Sequence, residues 1–469
     1  MNTTLAIMIA NIVVIAATLI PTYIISNRNK TSEEDWAVAS RSLPLYVVIG
    51  TQFASAMGGG VLVGHLGNAY GNGIAVLIYG LLASLPFLII MYPAKWLRKN
   101  NFTTVPEILR HFSNNSKIVT VVAALMTIVV PFGWVTSQIT AFGSIYTGIT
   151  GIDYNLLCIG FCIMSLLFVM PSGLKTVAWT DFIFSCFMVL MSIVCVIFVT
   201  KLGGGFSQIM NNVDPSMTSF SGSIDNVGKV TVFLWIFAVL PGGVTNQLYF
   251  QRVCAIDDEK KVNKSLSISA VLTFISYIWA VYMGISINSI NPSIEGNSAT
   301  GWFMTQLPVP LLALFAALIF ATMMSTVSSG VQSVVVNITR DIVPIIKPNM
   351  GSEKTLKLSR GLSFITMVVA VLMCLVFTDT LGWLVSTYAF SAATLLCPIY
   401  IGYAFRNSNF ITKSGIVASM IAGALGCAIG LILKTQINYA AIGIVLSLIA
   451  LILVSKLTKK ENQENEELI

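Results

Sequence analysis

The residues best equipped for chemistry are a run of hydroxyls within Phe320-Ala321-Thr322-Met323-Met324-Ser325-Thr326-Val327-Ser328-Ser329-Gly330. On a helix, Thr322, Ser325, Thr326 and Ser329 fall at i, i+3, i+4 and i+7 and share one face, with Ser328 beside it. Neutral oxygen donors suit a hard monovalent cation such as sodium, as oxygen sites suit calcium and magnesium. Each hydroxyl alone is accounted for by a bond back to the carbonyl one turn earlier; their density argues for more. Asp181, in Val177-Ala178-Trp179-Thr180-Asp181-Phe182, is the one acidic residue well inside an apolar run. A carboxylate there is expensive and marks an ion or proton path, unless it lies near enough to the helix end to snorkel.

Freed backbone offers further oxygens. Ala54-Ser55-Ala56-Met57-Gly58-Gly59-Gly60-Val61 holds three consecutive glycines, each costing about 1 kcal/mol relative to Ala inside a helix. Leu240-Pro241-Gly242-Gly243 interrupts a second apolar run, because Pro lacks the amide donor and clashes with the preceding turn. Either break alone could be a close helix contact through small residues. His65, just past the glycines, either packs between helices or reaches a solute.

These residues need elements to hold them, and composition says what kind. Of 469 residues 56% are hydrophobic and only 10% charged, whereas soluble domains are about a quarter charged. That excludes a soluble enzyme, a disordered regulator and a disulfide scaffold. The eight Cys lie scattered, mostly in apolar runs, and read as small buried hydrophobes. No nucleophile–base or metal constellation is present, so an enzyme is not expected.

Thirteen apolar segments can be read as membrane spans, near 4–25, 44–70, 73–95, 117–148, 154–171, 174–200, 228–251, 263–288, 307–338, 356–378, 381–405, 413–433 and 438–456. The first has no basic residues before it, so it is expected to be retained rather than cleaved as a signal peptide. With that count, twenty-three Lys and Arg residues fall in loops on one side, and three, Lys201, Lys229 and Lys434, on the other. The basic side is cytoplasmic, which puts the N-terminus outside and the C-terminus inside. The net charge of +7 is therefore a topology signal and implies no nucleic-acid partner. Setting aside the first span, the two breaks fall in the first and sixth of the next ten. Matching interrupted segments in two halves point to an inverted-repeat transporter with its site at the midplane.

The residues now resemble those of the sodium/solute symporter family, which includes sodium-coupled transporters of sugars, proline, pantothenate and sialic acid. The similarity covers roughly 33–405. It rests on Asp35-Trp36 to Leu43-Pro44, Gly64 to Gly73 with Ala69-Tyr70, and Thr104-Val105-Pro106-Glu107. It continues with Gly173-Leu174 through Thr180-Asp181, Tyr249-Phe250-Gln251-Arg252, and Met324-Ser325-Thr326 with Asp341, all in the family's order. The resemblance implies a leucine-transporter-like all-α polytopic fold: a first repeat over 44–200 and a second over 201–405. These are preceded by an extra helix in 1–43 and followed by two peripheral helices and a tail in 406–469.

The resemblance also implies a sodium site from carbonyls of Ala54, Met57 and Thr322 and hydroxyls of Ser325 and Thr326. A second sodium, present in some members, would use Asp181, Ser325, Ser328 and Ser329. Where sugar-transporting members carry polar ligands after the break, this chain has Gly58, Gly59, Gly60 and Val61. The remaining solute contacts would come from Gln52, Gln138, Asn246 and Gln247. The expectation is a plasma-membrane symporter importing a small neutral or zwitterionic organic solute with sodium, with no obligate protein partner. Two alternatives stay open: proton coupling through Asp181, and a non-transporting solute sensor on the same fold.

Overall fold

The computed structural model describes residues 3–28, 33–169, 173–376, 380–408, 410–433 and 438–467. Lys30 and Lys434, used in the orientation argument, lie outside them. Among the described residues there are helices and no strands, apart from one isolated bridge between Leu43 and Ile256.

The long helices are α1 (Thr3–Arg28), α2 (Leu45–Ala56), α3 (Leu66–Asn72), α4 (Leu77–Lys99), α5 (Val105–Phe112), α6 (Lys117–Thr127), α7 (Val129–Thr150), α8 (Tyr154–Val169) and α9 (Leu174–Leu202). They continue as α10 (Lys229–Val244), α11 (Gln247–Ala255), α12 (Val262–Ile290), α13 (Val309–Asn337), α14 (Ser352–Cys374), α15 (Thr380–Ala404), α16 (Lys413–Ile432) and α17 (Tyr439–Glu467). Short helices occupy the loops after α9 and α12. Ten helical stretches among the described residues are long and apolar enough to cross a membrane, or eleven when α2 is joined to the helix after its break. Two shorter apolar helices, Thr4–Val14 and Tyr154–Leu167, accompany them.

Burial separates core helices from lipid-facing ones. In α13 the most apolar window is 89% buried, as befits a helix surrounded on all sides. The corresponding figures for α9 and α14 are 33% and 28%. On α9 the exposed Leu190, Ile193 and Ile197 share one face by helical spacing, an apolar stripe suited to lipid. α2 packs against α9, α12 and α13, so the glycine break is held at the centre.

The two breaks differ. α2 ends at Ala56, and Met57 leaves helical geometry at φ −89, ψ 49. The chain resumes as a π-helical turn over Gly60–His65, bent 49° from α2. Glycine is required here by close approach. A Cβ on Gly58 would lie 2.6 Å from Gln138 Oε1, and one on Gly59 would lie 2.5 Å from Ala141 Cβ.

The second break is displaced from where Pro241 predicted it. Leu240 to Gly243 remain helical, and the chain opens only at Thr245 and Asn246. The small residues there serve packing: a Cβ on Gly242 would meet the Tyr388 carbonyl oxygen at 2.4 Å, and one on Gly243 would meet Pro86 Cγ at 2.4 Å. Asn246 starts the new helix, its side-chain oxygen accepting the Leu248 N–H at 3.0 Å, an N-cap interaction.

Gly73 closes the segment after the first break in a left-handed conformation (φ +82), where a Cβ would sit 2.2 Å from the Met217 carbonyl oxygen. Gly73→Ala is expected to cost about 1–3 kcal/mol in backbone strain alone, and more from that backbone clash. Gly71→Ala, with nothing within 4 Å of its Cβ, is the matched control. Thermal melting in detergent should show a large loss for the first and none for the second.

Candidate functional site

The end of α2 supplies backbone oxygens. Its last ladder bond runs from the Met57 N–H to Phe53 O at 2.9 Å, and bonding resumes with Val61 and Leu62 donating to Gly58 O. The carbonyls from Ala54 to Met57 therefore fall at a helix end, where intrahelical partners run out. α13 packs against α2. Met57 and Thr322 line one small cavity of about 10 Å³, so two of the five residues expected at the sodium site share one space, which Ala54, Ser325 and Thr326 do not line.

The hydroxyls divide into two kinds. Thr322 Oγ1 donates to Leu318 O at 2.8 Å, Thr326 Oγ1 to Thr322 O at 3.1 Å, and Ser328 Oγ to Ser325 O at 2.7 Å. These are the back-bonds that any helix offers. Ser325 Oγ instead donates across to Asp181 Oδ1, and Ser329 Oγ accepts from Arg252 Nη2 at 2.8 Å. A hydroxyl whose proton is committed elsewhere still keeps lone pairs for a cation. That applies to Ser325 and Thr326, both fully buried.

Asp181 does not snorkel: it is 0% exposed. Its Oδ2 accepts from Thr51 Oγ1 at 2.5 Å and lies 3.7 Å from Arg252 Nη2. By sequence Arg252 counted among the loop charges that set orientation; the structure places it in α11, also 0% exposed. Sequence reasoning missed this burial and pairing of Arg252. The only available signal was its position at the end of the Tyr249-Phe250-Gln251-Arg252 motif.

The expected solute contacts separate. Gly58, Gly60, Val61 and Gln138 line one cavity, together with Ser55, Tyr79, Trp134, Ser137, Tyr249, Tyr277, Leu384 and Tyr388. Gln138 Oε1 also accepts the Gly59 N–H at 2.5 Å, tying α7 to the break. The other three amides are turned away from this cavity. Gln52 Oε1 accepts from Ser269 Oγ at 2.6 Å. Asn246 caps its own helix. Gln247 bonds the Val105 N–H at 2.8 Å and Thr103 O at 3.2 Å, fastening α11 to the start of α5. Each makes a structural bond, and none lines the cavity.

In their place stand five aromatic residues, none of them expected as a solute contact, with Trp134 Nε1 donating to Tyr388 Oη at 3.0 Å. His65 packs behind them, 4.5 Å from the Tyr277 ring and 5.2 Å from the Tyr79 ring. The cavity holds about 30 Å³, enough for a water or two and too little for an organic solute.

A broken central helix, a facing hydroxyl stripe and an uncharged aromatic cavity in a multi-span bundle define a membrane transporter. A model of the sodium:solute symporter family matches residues 36–423, and the chain belongs to that family. It is therefore a sodium-coupled symporter of a small solute, embedded in the membrane by many spans, and not an enzyme.

Among its relatives, the sodium/glucose cotransporter of Vibrio parahaemolyticus is 24% identical over 73% of this chain and 69% of its own. A sodium/proline symporter of Staphylococcus aureus is 23% identical over 91% and 88%. In fold the chain is similar to a sodium-coupled sialic acid symporter solved in a substrate-bound, outward-open state, described as revealing a novel sodium site. That likeness has a TM-score of 0.81 and 17% identity, covering 96% of this chain and 97% of that one.

Proposed function

We propose that the chain imports a small neutral or zwitterionic organic solute together with sodium, by alternating access around the break after α2. The observation that carries this reading is the packing of the broken helix α2 against the hydroxyl-bearing α13, with Met57 and Thr322 lining one shared cavity, beside a second cavity whose lining has no charged side chain. Sodium held between α2 and α13 couples them, and the solute binds next door against Gly58, Gly60 and the aromatic rings. The supporting frame is thirteen spans in a five-plus-five inverted repeat within a plasma membrane, with the N-terminus outside and the C-terminus inside.

A ligand shifts a conformational equilibrium only by its differential affinity for the two states. The small volume of the cavity fits a site that widens in one state and closes in another. Aromatic faces pack apolar or cationic parts of a solute, and the lack of a basic side chain in the lining disfavours solutes with full negative charge.

The direct test is a thermal-shift screen of purified protein against neutral and zwitterionic metabolites in sodium and in choline, followed by uptake of the hits into proteoliposomes. Hits that stabilise equally in both salts, and are taken up without a sodium gradient, would overturn the reading. The cavity has its own test at Gly60, where an added Cβ meets only the flexible end of Leu384, at 3.3 Å. Gly60→Ala should be tolerated, while Gly60→Leu should overfill the cavity and weaken solute binding about tenfold or more, at a stability cost of about 1–3 kcal/mol from overpacking. Unchanged solute affinity in Gly60→Leu would place the solute elsewhere.

A further inference from the structure

Of the groups implied for a second sodium, namely Asp181, Ser325, Ser328 and Ser329, the first and last already face a cation, while Ser325 and Ser328 give up their protons and keep their lone pairs. Arg252 Nη2 donates to Ser329 Oγ at 2.8 Å and to Ser55 Oγ at 2.8 Å. Its Nε donates to Thr51 Oγ1 at 3.0 Å and its Nη1 to Leu248 O at 3.1 Å. Thr51 passes the contact on by donating to Asp181 Oδ2, while Ser325 donates to Oδ1. Ser328 is bonded to the Ser325 carbonyl. Four of the five guanidinium N–H groups thus have partners, all within a region closed to solvent.

We infer that Arg252 is the built-in counter-cation of Asp181 and takes the place that a second sodium would fill, so that this symporter binds one sodium. The inference rests on the sodium-symport reading above. Two physical arguments carry it. A buried carboxylate needs one compensating positive charge, and Arg252, permanently charged and rigidly forked, supplies it from within the chain. A sodium at the same oxygens would sit against that guanidinium with no second carboxylate among the four groups to balance it. Arg252 also bonds α2 through Thr51 and Ser55, and α13 through Ser329. The aspartate pocket is thereby a fixed clamp between the same two helices that the exchangeable sodium joins.

The experiment measures radioactive sodium binding to purified protein, with sodium-dependent melting in parallel, for wild type, Asp181→Asn, Arg252→Met and the double variant Asp181→Asn/Arg252→Met. Wild type and Asp181→Asn are expected to bind one sodium each. Arg252→Met leaves Asp181 uncompensated and should bind two, with a steeper rise of melting temperature with sodium, as expected when an added site binds only the folded state. The double variant should return to one.

Two sodium ions in wild type, one of them lost in Asp181→Asn, would overturn the inference even if Arg252→Met fails to fold. So would a folded Arg252→Met that gains none. No sodium in wild type but one in Arg252→Met would uphold the inference and sink the symport reading beneath it. None in either would sink both.

Discussion

Asp181→Leu is expected to destabilise the folded protein by about 3–5 kcal/mol, the cost of stranding one member of a buried ion pair. The loss should exceed that of any single hydroxyl removal nearby. The carboxylate and guanidinium stand 3.7 Å apart at 0% and 1% side-chain exposure, so neither water nor lipid headgroups can take over when one is removed. Leucine fills the volume and leaves Arg252 with hydroxyls and a carbonyl only. The cost comes from the orphaned charge rather than the missing bond, so a second substitution should repair most of it. Asp181→Leu/Arg252→Met replaces both members with apolar groups, a change that is often neutral or stabilising for buried pairs. Equilibrium denaturation in detergent of wild type, both single variants and the double gives the coupling energy directly. If Asp181→Leu falls within about 1 kcal/mol of wild type, the pair carries no structural load. If the double variant is as unstable as the sum of the singles, the two residues do not act together.

The same pair shows where sequence reading ran out. Asp181 stood out because a carboxylate amid Val, Ala and Phe has no cheap explanation. Arg252 did not, because a basic residue near the end of an apolar run looks like the charge that fixes orientation, and Lys260, Lys261 and Lys264 follow shortly after it. Only the packing of α11 against α2 and α13 reveals that it points inward. The glycine break was legible because three consecutive glycines leave few alternatives. The second break was placed a few residues early, since Pro241 is a strong local signal, yet a helix tolerates it where neighbours supply the packing. Its true position depends on Asn246 capping α11, and one asparagine among apolar residues is a weak signal.

The cavity lining was the least legible part. Tyr79, Trp134, Tyr249, Tyr277 and Tyr388 come from five separate helices, and each reads alone as ordinary core. The amides singled out in their stead have the right chemistry, but Gln52 and Gln247 bond to neighbouring segments and Asn246 caps its own helix, the commoner role of a buried polar group. Hydroxyl spacing fared better because i, i+3, i+4 and i+7 fix a shared face without any tertiary knowledge. Spacing could not say which hydroxyls bond back to their own helix and which reach Asp181 or Arg252.

The largest functional effect is expected at Thr326. Thr326→Val keeps the shape of a fully buried side chain and removes one oxygen. The hydroxyl proton is already given to Thr322 O, so what the substitution removes from the proposed sodium site is an acceptor oxygen. A hydrogen bond to a charged group contributes about 1.5–3 kcal/mol. On that scale the sodium concentration for half-maximal binding should rise roughly ten- to a hundredfold, while Thr326→Ser stays close to wild type. Ser325→Ala should act in the same direction and also deprive Asp181 of one donor, adding a stability loss that Thr326→Val lacks. Linkage supplies the decisive check. If sodium raises solute affinity by some factor, solute must raise sodium affinity by the same factor. In Thr326→Val, solute affinity measured in sodium-free buffer should be unchanged, and its enhancement at a fixed sodium concentration below saturation should shrink in step with the lost occupancy. A variant whose sodium dependence matches wild type would remove Thr326 from the ion site. One that loses solute affinity equally with and without sodium would show instead that the hydroxyl shapes the solute cavity.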